Sequence, residues 1–415
     1  MSSSSIVPSS RLADVRYDIR GPLSRRAREL ESEGRDIVRL NIGNPGLFGF
    51  ETPAHIREAV SRHLAQSEAY CTQQGLPPAR EAIARQQNER GAIGVDIDRV
   101  FIGNGVSELI DLSLRAILER GDEVLIPSPD YPLWSAATHL NDGKAVYYPC
   151  PPERGHLPDV AEMEALVTSK TRAIVVINPN NPTGALYPRE VLAGIVELAE
   201  RHGLLLLSDE IYDAICYDDA AFVPMASLCG DLPSITYNGL SKVHRACGYR
   251  VGWMSVAGAH PRVDGLLRAL DLLAAMRLCS NVPTQWAIQP ALQGPNTIDE
   301  LTTSGGRLHA SRQALLDAVS HSEFLSVHSP QGALYAFPGV CTRLVPQFDD
   351  ETFALTLLER QSVLIVPGSS FNVPYRSHFR VTLLPEAAVI ADVFRRIERQ
   401  LQEMAGRQIE RRHVA

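Results

Sequence analysis

Lysine is nearly missing from this chain. Of 415 residues only Lys144, Lys170 and Lys242 are lysines, and the remaining basic charge is carried by arginine. Paired cysteines are missing too. Cys71, Cys150, Cys216, Cys229, Cys247, Cys279 and Cys341 are odd in number, widely spread and without a C-x-x-C pair. That pattern excludes a disulfide framework and reads as reduced thiols. No apolar run approaches the ~20 residues that span a bilayer, so no membrane protein is expected. The N-terminal MSSSSIVPSSR lacks the apolar stretch of a secretory signal, and the acids Asp14 and Asp18 follow closely, so a cytoplasmic protein is expected. A net charge of −8 supplies no general basic face and argues against non-specific nucleic-acid binding. No internal repeat, low-complexity tract or metal site is expected.

What remains is an ordinary globular composition, 45% hydrophobic and 21% charged, long enough for two to three lobes. Residues 1–22 read as a polar arm ending in RYDIRGP. A helix is predicted over Leu23–Gly34, then a short strand in DIVRLNIG. From Thr52 onward, helical and strand patterns alternate. RVFIG, DEVLIPSP, KAVYYPC, RAIVVINP, LLLLSDEIY, SITYNGLS and RVGWMSVA are β-rich runs. Between two of them lies a clear helix, with Pro188 at its start, a stripe of Leu192, Ile195, Val196 and Ala199, and Gly203 as its stop. Such alternation implies an α/β fold around a mostly parallel sheet covered on both faces. After about residue 305 the pattern becomes a helix followed by GALYAFPG, SVLIVPG and HFRVTLL. We expect a large domain at 51–304 and a smaller α+β domain made of 23–50 and 305–415.

Lys144 and Lys170 sit in polar turns, NDGKAV and TSKTR, and read as exposed. Lys242 instead follows a strand-like run and precedes an arginine-rich loop. Arginine cannot replace lysine where a deprotonated amine must attack a carbonyl, because the guanidinium keeps its proton. Lys242 is therefore a candidate Schiff-base nucleophile; a lysine snorkelling at a strand end is the competing reading.

Ligands of open α/β sheets gather at the carboxyl ends of strands, and here those ends carry what pyridoxal phosphate requires. Asp209 closes an apolar strand that would bury it, and a buried carboxylate needs a cation such as a protonated pyridine nitrogen; a helix N-cap is the alternative. GNGVSE joins a strand to a helix whose free N–H groups can hold a phosphate dianion, although Glu108 stands where a dinucleotide fingerprint has its third glycine. Ser241 and Arg250 add a hydroxyl and a forked cation. Asn181 in NPNNPTG and Tyr212 offer donors to a ring oxygen. Tyr131 in PSPDYPLW offers a stacking face, or is simply a half-buried core aromatic.

The combination of NPNNPTG, SDEIY and S-K-x-x-x-x-x-G-x-R resembles the class I/II aminotransferases of pyridoxal-phosphate fold type I, in the family's order and over nearly the whole chain. The words YDIRGP, LNIGNP, GNGVSELI, PDYPLW, NPNNPTGALY, NGLSK, MRLCSNVP, GALYAFP and HFRVTLL are more narrowly similar to bacterial glutamate–pyruvate (alanine) aminotransferases. The resemblance implies pyridoxal 5'-phosphate as cofactor and Lys242 as its covalent anchor and proton shuttle. It implies Asp209 at the pyridine nitrogen, Asn181 and Tyr212 at the phenolic oxygen, and Tyr131 on the ring face. Val106, Ser107, Ser241 and Arg250 would bind phosphate. Tyr70 would reach the phosphate of a neighbouring subunit, implying a homodimer. Arg380 would grip the substrate α-carboxylate beside the Gly43 backbone. One departure is the loop VHRACGYR, which puts Cys247 and Tyr249 near the phosphate.

Ping-pong transamination between alanine/pyruvate and glutamate/2-oxoglutarate is the expected activity. Such an enzyme must take a γ-carboxylate in one half-reaction and a methyl in the other, and a fixed buried cation would be left unpaired in the second. Tyr17 and Arg20, beside Gly21 and Pro22, are the arm residues that can supply a movable contact; a purely surface role for Arg20 is the alternative. Other readings are an aminotransferase of other aliphatic or aromatic amino acids and a same-fold C–S lyase, which would share every cofactor residue. A regulator would need a DNA-binding module ahead of Leu23. A catalytically dead binding module would be expected to lack Lys242 or Asp209.

Overall fold

In the computed structural model, which describes residues 6–17 and 21–414 (main chain only for Asp14 and 407–414), the predicted strands all form. After β1 (Val38–Arg39) come β2 (Val100–Gly103), β3 (Glu123–Ser128), β4 (Lys144–Pro149), β5 (Thr171–Ile177), β6 (Leu205–Asp209), β7 (Ser234–Gly239) and β8 (Gly252–Ala257). The last seven make one sheet in the order β2-β8-β7-β6-β5-β3-β4. All neighbours run parallel except β8, which is antiparallel to both β2 and β7.

Side chains alternate across a strand, and the sheet shows it. Val124 and Ile126, Val175 and Ile177, and Leu207 face one core. Leu125, Ile174 and Val176, and Leu206 face the other. The helix Arg189–His202 covers the second face with Leu192, Ile195 and Ala199, and stops at Gly203, whose φ of +64° suits glycine. Both faces buried makes these strands apolar throughout, as a covered parallel sheet requires.

The remaining strands are short: β9 (Leu325–Ser326), β10 (Tyr335–Ala336), β11 (Gly339–Val340), β12 (Val363–Leu364), β13 (Val366–Pro367) and β14 (Phe379–Thr382). β14 lies between β10 and β13, and β1 pairs with β12. The N-terminal strand thus joins chain from the other end of the sequence, as predicted. A helix spans Pro22–Ser32, close to the expected one, and a long helix runs over Ala387–Val414. The described part of the arm packs near the helix Leu133–Leu140: Arg11 pairs with Asp142, just past that helix, at 2.8 Å. Arg20 lies outside the described residues. Among the described residues no helix is long and apolar enough to cross a membrane.

Candidate active site

The chain leaves β5, β6 and β7 at the same edge of the sheet, and the residues just past those ends converge. Asp209 is the last residue of β6, Lys242 lies three residues beyond β7, and Asn181 four beyond β5. Together with Tyr17, Gly43, Val106, Ser107, Tyr131, Tyr212, Ser241, Arg250 and Arg380 they line a cavity of about 650 Å³. All described residues expected at the site are therefore gathered, except Tyr70. That residue is 78% exposed and is not part of the wall.

Asp209 is 3% exposed. Burial pushes its carboxyl up to about 6, opposed by a hydrogen bond from Trp134 Nε1 to Oδ2 at 3.2 Å and by the positive charge of Lys242. A carboxylate so placed favours a cation in the cavity. The Lys242 amine donates to the Gly43 carbonyl oxygen at 2.6 Å and lies 4.0 Å from Cys247 Sγ. Gly43 is constrained by the same crowding: a Cβ there would overlap the Tyr335 hydroxyl.

The anion end is built on the helix Val106–Ile117. Its N-cap is Gly105 (φ +87°), where a Cβ would collide with the Arg250 guanidinium. The first N–H groups of a helix have no intrahelical partner, and Val106 and Ser107, which carry them here, line the cavity. Arg250 itself holds a left-handed backbone (φ +54°) and donates to the Cys247 carbonyl at 2.9 Å. Glu108 accepts from the Asn104 amide N–H at 2.7 Å and its side-chain Nδ2 at 3.1 Å. It is a clamp on the turn, which explains why a third glycine is unnecessary.

Arg380 is 1% exposed. Its Nη1 donates to Asn181 Oδ1 at 2.9 Å and its Nη2 to the Asn41 carbonyl at 2.6 Å. The guanidinium carbon lies 4.3 Å from the Tyr335 ring centroid and 4.8 Å from that of Phe371. Its Nε has no hydrogen-bond partner among the described residues. A buried guanidinium without a carboxylate partner is a receptor for one. Since Asn181 accepts from Arg380 through Oδ1, its amide nitrogen is the donor left for a ligand.

Tyrosines also line the cavity, Tyr335 directly beside Arg380. Tyr17 and Tyr131 share a hydrogen bond at 3.0 Å, and Tyr212 donates to Tyr335 at 3.2 Å. Burial raises the phenols of Tyr131 and Tyr212 well above their usual range, which keeps both as protonated donors. Sequence reasoning missed Trp134, Tyr335 and Asn41. Trp134 and Tyr335 stood in PDYPLW and GALYAFP without a spacing rule to mark them. Among the described residues no group of three or more His, Cys, Asp or Glu is arranged to hold a metal ion.

A cavity that asks at once for an anion, a cation, a carbonyl and a carboxylate, at the strand ends of such a sheet, defines an amino-group-transferring site. Residues 35–397 match the model of the aminotransferase class I and II family. The chain belongs to that family, with the fold of type I pyridoxal-phosphate enzymes. It is 46% identical over 382 residues to the glutamate-pyruvate aminotransferase AlaA of Escherichia coli, covering 92% of this chain and 94% of that protein. It is 45% identical over 390 residues to an alanine aminotransferase of Mycobacterium bovis, covering 94% and 91%. A crystal structure of an aminotransferase from Escherichia coli superposes with a TM-score of 0.94 at 45% identity, covering 96% of this chain and 99% of that one.

Proposed function

We propose that this aminotransferase exchanges the amino group between alanine/pyruvate and glutamate/2-oxoglutarate by a ping-pong mechanism, with pyridoxal 5'-phosphate as cofactor, as a cytoplasmic homodimer. The observation that carries the reading is the shared cavity of Lys242, Asp209, the helix start at Val106 and Ser107, and Arg380. The relatives named above for glutamate, pyruvate and alanine support the substrate pair. The division that goes with this reading is an arm at 1–22, a cofactor-binding domain at 51–304, and a smaller domain of 23–50 with 305–415.

The fit to the cofactor rests on the unmet demands of the cavity. The buried Asp209 carboxylate matches the pyridine N–H, and the turn at Val106 and Ser107 with Ser241 and Arg250 matches a phosphate dianion. Asn181 would donate to the ring oxygen, as would Tyr212 on turning its hydroxyl from Tyr335, and Tyr131 would supply the ring face. Tyr70, exposed on its own chain, suits the role of reaching the partner subunit's phosphate. When bound, the cofactor supplies an aldehyde that accepts the amino group and an electron sink that acidifies the substrate Cα–H.

The chain's own residues then do the rest. Arg380 clamps the α-carboxylate and so fixes the direction of the Cα–H bond, a positioning effect. The Lys242 amine takes the Cα proton, holds it, and returns it during transfer. Asp209 stays ionised beside a cation, which keeps the electron sink in force.

Half-reactions of the purified protein followed by cofactor absorbance test this reading. Alanine and glutamate should react fastest in a panel of amino acids. Keto acid and ammonia released from a cysteine-type substrate without any amino acceptor would assign a C–S lyase instead. Arg380→Lys is expected to raise the apparent KM of every amino-acid substrate by about 10- to 100-fold, because a point charge replaces a fork worth about 1.5–3 kcal/mol per charged hydrogen bond. An effect confined to dicarboxylic substrates would move Arg380 to the distal carboxylate. Arg20→Ala is expected to lower kcat/KM for glutamate and 2-oxoglutarate about tenfold while alanine and pyruvate change little. Equal losses on both pairs would leave the distal site unassigned.

A further inference from the structure

The chain segment that supports Arg380 is fastened to the segment that carries Tyr131. β13, which pairs with Arg380 through Val366, runs into the turn Gly368–Phe371 and then Asn372. The buried Phe371 ring, beside the Arg380 guanidinium, closes that turn. Past β3, the chain runs through Asp130 and Tyr131 into the helix Leu133–Leu140, whose Trp134 donates to Asp209. Four hydrogen bonds join the two segments. Ser128 Oγ donates to the Asn372 carbonyl oxygen at 2.7 Å, and the Asp130 N–H to that of Phe371 at 3.1 Å. Asn372 Nδ2 donates in return to Asp130 Oδ1 at 3.0 Å and to Ser135 Oγ at 3.1 Å.

We infer that Asn372 and Asp130 are positioning residues for substrate binding. Their contact pins the Phe371 support of Arg380 to the segment carrying Tyr131, and so fixes the carboxylate receptor relative to the cofactor's ring face. The inference rests on the roles proposed above for Arg380 and Tyr131. Neither Asn372 nor Asp130 lines the cavity, so both act through the residues they hold.

The contact is costly to lose. Asp130 is 0% exposed, and its Oδ2 has no hydrogen-bond partner among the described residues. Burial pushes its carboxyl up to about 7, against the opposing pull of Ser135 and Asn372. A carboxyl so enclosed depends on each donor it has, because a buried polar group without one carries its full desolvation cost. Asn372 meets that demand with its side chain while its backbone is left-handed (φ +54°), a conformation open to asparagine and glycine. One residue therefore makes both the turn and the bridge, and glycine there would keep only the turn.

Variants of the holoenzyme are read by half-reaction kinetics, and their cofactor-free forms by melting temperature. Asn372→Gly is expected to raise the apparent KM of every amino acid that the wild-type protein converts by about tenfold, with the maximal rate falling less than about threefold. Asn372→Asp sets a second carboxyl against Asp130; it should raise KM at least as much and lower the melting temperature of the cofactor-free protein. Asp130→Asn keeps an acceptor and should change KM by less than about twofold. Added to Asn372→Asp, it reverses donor and acceptor and should restore both KM and melting temperature. Melting temperatures that shift while KM stays constant would make the contact merely structural, and failure of the double variant to recover would break the pairing. Either result overturns the inference. The proposed activity is judged on the wild-type protein and on Arg380→Lys, so its failure is read separately.

Discussion

Lys242→Ala is expected to lower transamination by about 10⁴-fold or more, since positioned proton transfer alone is commonly worth ~10²–10⁴-fold and the covalent anchor is lost as well. The fold should survive. Lys242 is only partly buried, and its polar partners among the described residues are the Gly43 carbonyl and the Cys247 thiol. The measurement is the half-reaction with alanine, alongside the visible absorbance of the resting protein and its melting temperature. Retention of wild-type absorbance and rate would return the role to one of the other lysines. Neither is well placed for it: Lys144 pairs with Glu123 at 3.0 Å at the start of β4, and Lys170 is exposed in a turn.

Asp209→Ala is expected to slow the half-reactions by roughly 10²- to 10⁴-fold, the equivalent of the ~3–5 kcal/mol lost when one partner of a buried charge pair is removed. Asp209→Asn should be nearly as slow, because an amide cannot stabilise a cation on the ring. Stability moves in the opposite direction. Burial holds the Asp209 carboxyl at about 6, above its unfolded value of 3.8. The unfolded chain therefore binds fewer protons between those values, and the folded state loses stability as pH rises through that window. At neutral pH the cofactor-free Asp209→Asn protein should melt no lower than cofactor-free wild type, while cofactor addition should raise its melting temperature less. A large drop in melting temperature of the cofactor-free variant, or near-normal half-reaction rates, would contradict this assignment.

The strands and their termini were legible because they obey local rules. Apolar runs of strand length ended in Asp209, in the asparagines of NPNNPTG and just before Lys242, and strand ends are where such folds bind ligands. The helix predicted over Leu23–Gly34 begins one residue earlier, at Pro22, and Gly34 takes a φ of +89° just past its end. The antiparallel setting of β8 was not legible, since an apolar strand reads the same in either direction. Trp134 reaching Asp209 across 75 positions, and Tyr212 reaching Tyr335 across 123, were also hidden. Local spacing carries no signal for a bond between distant segments. Tyr17 was read as a substrate residue; in the structure its hydroxyl meets Tyr131, so the arm also bears on the residue offered as a ring face.

The way Arg380 is held bears on which molecules the site refuses. Its guanidinium lies over two aromatic rings, is tied to an amide oxygen and a carbonyl, and meets no carboxylate of the protein. Desolvation lowers its hold on its own proton, yet it stays charged across the physiological range. A primary amine with no carboxylate would enter carrying the right nitrogen and leave that charge desolvated and unanswered, at about 3–5 kcal/mol. With Arg380 as the proposed receptor of the α-carboxylate, amines made by decarboxylating amino acids are expected to react roughly 10²- to 10⁴-fold more slowly than the parent amino acids, without any clash. The discrimination needs no gate or lid, because the cost of the wrong guest is already built into the empty chair.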